Sequence, residues 1–477
     1  MINRILIRMK VVQMLYSYLL TRSDFNILPA YSGIFRDRRF AYTLYSDLLI
    51  TLLDQSGFKI TNFEGSPRFE LVNRKADSMF NRIGLAIAGN DAMKKIALDN
   101  KSFYDAIQPI RLELQTEIKA SSLYKEMTKK KEAVEIRDEV SFWKTIFHTV
   151  ILRNPKFQEI IHSMRDFTHM GYDLAIDMFD STLDDFAAIR GALIDSRKSL
   201  AASLDKSYEL YHSLLQLMVD ITKLREQQLD EAKHKYLPSY DDLNPNTRFV
   251  DNEFIKVLEA DESRQAFLDN TPISWKDDDV TLRKLLDKIM ESEYYKEYME
   301  ASSTDLKRDC DLWYNLFRNV IVDSDELAAA LENQSIFWND DVVIMGSFVL
   351  KTIKSFALSH GKSITLSPKY KDLEDEKFGP ALFEAAIRNQ DEYRSYIDAC
   401  LVNSRWDPDR LAFMDIVILE TAIAELLNFE SIPTLVTVNE YTEIANYYST
   451  PKSGQFVTGM LYAIIKNLKE AGLLLKE

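Results

Sequence analysis

The sequence predicts an all-helical protein, and three observations predict it. Only 13 Gly and 12 Pro interrupt 477 residues. Apolar residues recur at spacings of three and four, as a helix face requires. Alternating strand runs separated by glycine turns are missing, so a parallel-sheet architecture is excluded. The length is a prior for about three domains of ordinary size, and the composition is that of a soluble globular chain.

The first element is a helix near the N-terminus. Ile5, Met9, Val12, Tyr16 and Leu19 form one apolar stripe at spacings of four, three, four and three, which must be buried somewhere. Arg4 and Arg8 stand one turn apart elsewhere on its surface, where a solvated basic face is the simplest reading. Arg4, Arg8 and Lys10 before the apolar stretch Val11 to Leu20 superficially resemble a secretory signal. Gln13, Ser17 and two tyrosines interrupt that stretch, however, and Thr21-Arg22-Ser23-Asp24 offers no small-x-small cleavage site. No run approaches the ~20 apolar residues needed to cross a bilayer, so no membrane is expected and the chain is read as cytoplasmic.

The middle of the chain contains an internal similarity. Residues 41–54 align with residues 207–220 at an offset of 166, with six identities in fourteen. Ile118, Ser121, Tyr124, Lys125 and Glu126 match Ile289, Ser292, Tyr295, Lys296 and Glu297 at an offset of 171, and Trp143, Phe147, Val150 and Ile151 match Trp313, Phe317, Val320 and Ile321 at 170. Three collinear matches at nearly one offset are read as two diverged copies of a helical module, about 38–195 and 204–360. Within the matches Leu44, Leu48 and Leu52 recur every four residues, as do Leu210, Leu214 and Met218, and these core stripes are packing positions. The expected organisation is a first helix over 1–22, a first module over 23–200, a second over 201–360, and a linker with a C-terminal core over 361–477. Leu237 to Thr247 reads as a loop inside the second module, and Gly361 to Gly379-Pro380 as the link to the core.

In the C-terminal core, Asp407-Pro408 reads as a cap followed by proline at the first helical position. The helix that follows runs to about Asn428 and is apolar around most of its circumference, so it is expected at the centre. Pro433 starts the next helix, on which Val438, Tyr441, Ala445 and Tyr448 share a face. Ser453 is placed to cap the last one, whose apolar positions include Phe456, Val457, Met460, Leu461, Ile464 and Leu468. Free N–H groups at a helix start attract phosphate, and Lys452 precedes this one directly.

Several chemistries are excluded. Cys310 and Cys400 lie ninety residues apart in helical surroundings and suit neither a disulfide framework nor a zinc site. The six histidines show no ligand spacing. No G-x-G-x-x-G or G-x-x-x-x-G-K segment is present, so no cofactor is expected. A net charge of −15 argues against bulk electrostatic capture of nucleic acid, which needs clustered Lys and Arg. Any RNA site must be local, and the first 22 residues, with Arg4, Arg8, Lys10 and Arg22 and no acidic residue, are the exception to the acidic trend.

The most specific signals are Trp406-Asp407-Pro408-Asp409-Arg410-Leu411, Ile432-Pro433, Val438-Asn439-Glu440-Tyr441-Thr442-Glu443-Ile444-Ala445 and Ser453-Gly454-Gln455-Phe456-Val457-Thr458-Gly459. In order and spacing they resemble the NusB family, and Val11-Val12-Gln13-Met14-Leu15-Tyr16-Ser17 is similar to that family's first helix. The arrangement looks most like the enlarged NusB proteins of the Bacteroidetes group. The resemblance covers about a quarter of the chain. It implies a NusB-like helical bundle carrying a large, internally duplicated insertion after the first helix.

The resemblance further implies a non-enzymatic factor that binds single-stranded boxA-type nascent RNA in ribosomal RNA operons. It would act together with NusE, a small-subunit ribosomal protein, in the RNA polymerase antitermination complex. By position, Arg4, Arg8, Lys452, Ser453, Gln455 and Phe456 would contact RNA, with Arg and Lys on phosphates and the Phe456 edge stacking on bases. Tyr16, Asp409, Arg410 and Asp415 would face NusE. Two features depart from the family: the first helix is less Arg-rich, and Thr458 replaces the usual Asn before Gly459. NusB-like domains also occur fused to ribosomal RNA methyltransferases, but neither Asp309-Cys310-Asp311 nor Ala399-Cys400-Leu401 is the Pro-Cys setting of those enzymes. The alternative to RNA binding is a helical protein-interaction scaffold.

Overall fold

A computed structural model describes residues 2–476 except 23–24, 64, 73–80, 130–134, 336, 339, 361–363 and 403–410. The chain is 76% helical, which confirms the all-α class. The strands among the described residues are Phe58–Thr61 and Arg68–Leu71, an antiparallel hairpin. No helix among the described residues is long and apolar enough to cross a membrane. Two compact units are present, one of residues 1–17 with 197–477, the other of residues 18–196.

The smaller unit packs around the helix Arg36–Gln55, where the expected stripe Leu44, Leu48 and Leu52 is fully buried together with Phe40 and Leu49. Trp143, Phe147 and Phe179 complete its aromatic core. Tyr45 lies within hydrogen-bond distance of Thr182, hydroxyl to hydroxyl at 3.0 Å, and accepts from the backbone N–H of Leu28. In the larger unit Tyr211 has the same arrangement, 2.7 Å from the Thr352 hydroxyl and accepting from the N–H of Ser367. Helix starts also pair. Asn90 caps Asp91–Asp99 as Asp261 caps Glu262–Asn270, and Asn154 caps Pro155–Ser163 as Ser324 caps Asp325–Gln334. We propose from these pairs, with the sequence matches, that the two stretches are diverged copies of one module.

Seven helices frame the site and are labelled in chain order: α1 (Arg4–Thr21), α2 (Val342–Leu358), α3 (Leu373–Arg388), α4 (Gln390–Val402), α5 (Phe413–Asn428), α6 (Thr434–Tyr448) and α7 (Ser453–Glu470). Helix α5 is buried almost all round, as its sequence predicts, with Val417, Ile418, Leu419, Ala422 and Ile423 at or near zero exposure. The helix begins at Phe413 with Ala412 at its cap position, and the expected Asp407 cap and Pro408 start lie outside the described residues. Helix α6 begins directly after Pro433, as expected.

Three sequence expectations are corrected. The segment read as a link up to Gly379-Pro380 is helical from Leu373, because the Asp372 carboxylate accepts the N–H groups of Glu374 and Asp375 and starts α3 there. Pro380 lies inside that helix. The loop after Leu237 contains a short helix, Tyr240–Leu243, nucleated by a reciprocal capping box between Ser239 and Asp242. Ser453 does not cap α7, whose cap position is Lys452 and has no side-chain capping bond.

Gly379 explains how closely α3 approaches α1. A Cβ at this position would lie 2.9 Å from Cγ2 of Ile7, a side chain with no exposure and no room to yield. Gly379→Ala should therefore destabilise the chain by about 1–3 kcal/mol through overpacking, despite the better helix propensity of alanine. Urea denaturation measures this, and combining the change with Ile7→Ala should cost less than the two separate costs added together. For the paired tyrosines, Tyr45→Phe and Tyr211→Phe should each cost about 1 kcal/mol. A loss at only one of them would count against equivalent modules.

Candidate nucleic-acid interface

The centre of the site is a buried carboxylate. Glu425 sits on the face of α5 that meets α1 and α6, with its side chain wholly inaccessible. Arg8 of α1 donates to it twice, Nε to Oε2 at 2.7 Å and Nη2 to Oε1 at 3.0 Å. The Thr437 hydroxyl donates to Oε1 at 2.8 Å and the Tyr441 hydroxyl to Oε2 at 3.3 Å. Burial, followed by the Glu425 charge, pushes the Tyr441 phenol well above its ordinary range. A planar guanidinium meeting both carboxylate oxygens, with two hydroxyl donors, satisfies a charge that would otherwise be very costly to bury.

The first helix is thus fixed to the C-terminal helices, as its stripe requires, but it is buried on more than one face. Leu6, Ile7, Val11, Val12 and Leu15 are inaccessible or nearly so, while Ile5, Tyr16 and Leu19 are half-buried. Lys10 is buried as well, with Nζ 2.9 Å from Asp341, whose other oxygen accepts from the Ser207 hydroxyl at 2.5 Å. Burial pushes the Asp341 carboxyl up, opposed by the Lys10 charge and the Ser207 bond.

The expected RNA-contacting residues divide by exposure. Arg8 is 2% exposed and is not the solvated phosphate contact expected of it. Its basic character reads as solvated only because its partner lies 417 residues away. Phe456 is 4% exposed and offers no free edge for stacking, because it shares the core face of α7 with Val457 and Met460. Ser453 is buried too: its hydroxyl donates to Asp415 at 2.9 Å and accepts from the N–H of Thr450, tying the loop before α7 to α5. Lys452 and Gln455 are exposed. Arg4 retains about a third of its side-chain exposure, while Nε donates to Asp375 at 2.7 Å and Nη2 lies 3.5 Å from Glu374. Both Arg4 and Arg8 lie over the ring of Phe378, each 5.3 Å from its centroid.

Among the expected partner-facing residues, Tyr16 packs its ring 5.4 Å from that of Phe413, which is itself 37% exposed. Asp415 is buried and occupied by Ser453, so it is not a free surface carboxylate. Asp409 and Arg410 lie outside the described residues. The structure brings together Asp415 and Ser453, assigned beforehand to different surfaces. Glu425 has no role in the sequence reading, although an acid in the middle of an apolar helix, like Glu420 five residues before it, signals a buried partner. Thr458, the departure from the family pattern, lies 2.6 Å from the Thr442 hydroxyl and donates to the Gly454 carbonyl, holding α6 to α7.

Removing Arg8 while leaving Glu425 strands a buried charge. Arg8→Met is expected to destabilise the larger unit by about 3–5 kcal/mol, read by urea denaturation. Arg8→Met combined with Glu425→Gln should recover part of that loss. A single-variant cost below about 1 kcal/mol would contradict the anchoring role.

A family model for the NusB family matches residues 344–466, beginning inside α2, a helix assigned from sequence to the second module. A transcription antitermination protein NusB from Salinibacter ruber is 38% identical over 109 residues, covering 23% of this chain and 67% of the relative. Its counterpart from Dictyoglomus thermophilum is 36% identical over 97 residues, with coverage of 20% and 66%. That from Chloroherpeton thalassium is 34% identical over 105 residues, with 22% and 49%. No solved structure matches the chain. The matched stretch holds the carboxylate anchor, the helices α3 to α6 and most of α7, and on this basis the chain belongs to the NusB family.

Proposed function

We propose that this protein is an RNA-binding transcription antitermination factor that acts with NusE on boxA-type nascent RNA in ribosomal RNA operons and thereby supports rRNA synthesis. The observation that carries the reading is the similarity of the C-terminal helices to proteins named for transcription antitermination. The docking of α1 against those helices through Arg8 and Glu425 supports it.

The exposed groups divide the work. Lys452 supplies a phosphate contact and Gln455 a hydrogen-bonding side chain beside it. Arg4 contributes by exchanging part of its pairing with Asp375 and Glu374 for a phosphate. Arg8, Ser453 and Phe456 are positioning residues: they hold α1 and the start of α7 in place and do not touch RNA. The half-exposed Tyr16 and Phe413 pair forms the apolar edge that meets NusE, and Asp415 shapes that surface through Ser453. With a net charge of −15, the protein as a whole does not attract RNA, so NusE strengthens the complex.

Fluorescence anisotropy with a short single-stranded boxA RNA, across a salt series and with or without NusE, tests the reading. Lys452→Ala should weaken binding and lower the magnitude of the salt slope by about 0.7, the value for one phosphate contact on a single strand. Addition of NusE should tighten binding. An unchanged slope would reject Lys452 as a contact. Failure to bind RNA even with NusE would reject the reading and favour a protein-interaction scaffold.

A further inference from the structure

Helices α1, α2 and α6 enclose a groove of about 500 Å³ that plays no part in the proposed RNA contacts. Ile5, Met9, Ile344 and Ile444 form its floor, and the strongly exposed side chains of Val343 (69%) and Tyr447 (76%) stand at its edges. A solvent-exposed valine and tyrosine beside an apolar floor make a contiguous apolar surface, the kind that marks a binding groove. The volume suits a side chain of a bound segment as well as it suits a small ligand.

The rim of the groove is anionic. Asp340, Glu440 and Glu443 line it, and Asp340 is held in place by donors from Gln13 at 3.0 Å and Tyr448 at 3.2 Å, which leave its charge uncancelled. Glu443 is exposed and has no ion pair among the described residues. Glu440 lies 3.6 Å from Arg8, but that guanidinium is committed to Glu425. Of the other cations in α1, Lys10 is committed to Asp341 and Arg4 pairs with Asp375 and Glu374. A lining that contains three carboxylates and no lysine or arginine repels phosphate, which argues against nucleic acid and for a cationic occupant.

A second, smaller cavity of about 320 Å³, lined also by the paired Arg4 and Arg8, shares Ile5 and Glu440 with the first and extends the surface to Val436 and Pro433. Along α6, Val436, Glu440, Glu443 and Tyr447 recur at spacings of four, three and four on one face, so two acidic groups lie between two apolar ones over about 16 Å of helix. That length accommodates about five residues of extended chain.

We propose that this groove is a docking site for a segment of a partner protein that inserts one bulky apolar side chain and carries Lys or Arg beside it. The apolar side chain fills the space over Ile5, Met9 and Ile444 against Tyr447. The flanking cations lie on Asp340, Glu440 and Glu443. The site is independent of the RNA reading, since none of the residues lining the 500 Å³ groove is assigned to RNA.

The test uses the full chain and a panel of fluorescein-labelled dodecapeptides in which Leu, Phe or Trp is flanked by Lys-Arg pairs, with Glu-Glu versions as controls. At least one basic peptide should bind in an anisotropy titration, more weakly as salt rises, and about tenfold tighter than its acidic control. Glu443→Lys and Tyr447→Ala change exposed side chains and should each weaken that binding about tenfold, with the circular dichroism spectrum unchanged. Basic peptides binding no better than their controls would overturn the proposal. So would binding indifferent to both variants, or a loss of boxA RNA binding in the variants with peptide binding intact.

Discussion

The C-terminal core depends on one buried ion pair. A carboxylate taken fully out of water is unfavourable by several kcal/mol unless its oxygens are met by good donors, and Glu425 meets four, from Arg8, Thr437 and Tyr441. Three helices are specified at once, because each supplies a group that is unsatisfied without the others. The motif around Asn439 and Tyr441 becomes intelligible in these terms. Val438, Tyr441, Ile444 and Ala445 point inward to the core and the carboxylate, while Asn439 and Glu443 are left on the surface.

The same interaction explains how the first helix can be separated from its core by hundreds of residues. The entropy of closing a loop grows only with the logarithm of its length, and the intervening chain is itself folded, so the added cost falls further. Lys10 and Asp341 provide a second tie, between α1 and the start of α2, with Ser207 completing the carboxylate's partners. The helix between these two anchors is pinned by opposite charges on two of its faces, and that pinning fixes its rotation as well as its position.

Helix faces were legible in the sequence because burial follows spacing: the stripe through Leu44, Leu48 and Leu52 and the all-round apolarity of α5 appear as read. The direction of the charged side chains was not. Arg8 reads as solvated because single-sequence periodicity carries no information on a carboxylate several hundred positions away. Ser453 reads as a cap and Phe456 as an exposed ring for a similar reason: each has a plausible local role, and the contacts with α5 and the core override it. Gly379-Pro380 reads as a break, although Asp372 had already started the helix and the glycine serves the close approach of Ile7. Of the candidate contacts, Lys452 and Gln455 keep the exposure that was expected, and Arg4 part of it. The surface available to RNA is narrower than the motifs alone suggest.

The separation between Arg8 and Glu425 also sets a timetable. At about 5–20 residues per second, ribosomal synthesis takes roughly 20 to 80 seconds to pass from one to the other. Throughout that interval Leu6, Ile7, Val11, Val12 and Leu15 have emerged without the helices that later cover them, and two cations destined for the interior remain hydrated. These residues of the core are made well before the C-terminal helices that bury them, so the nascent chain exposes an apolar, positively charged helix segment until those helices are complete.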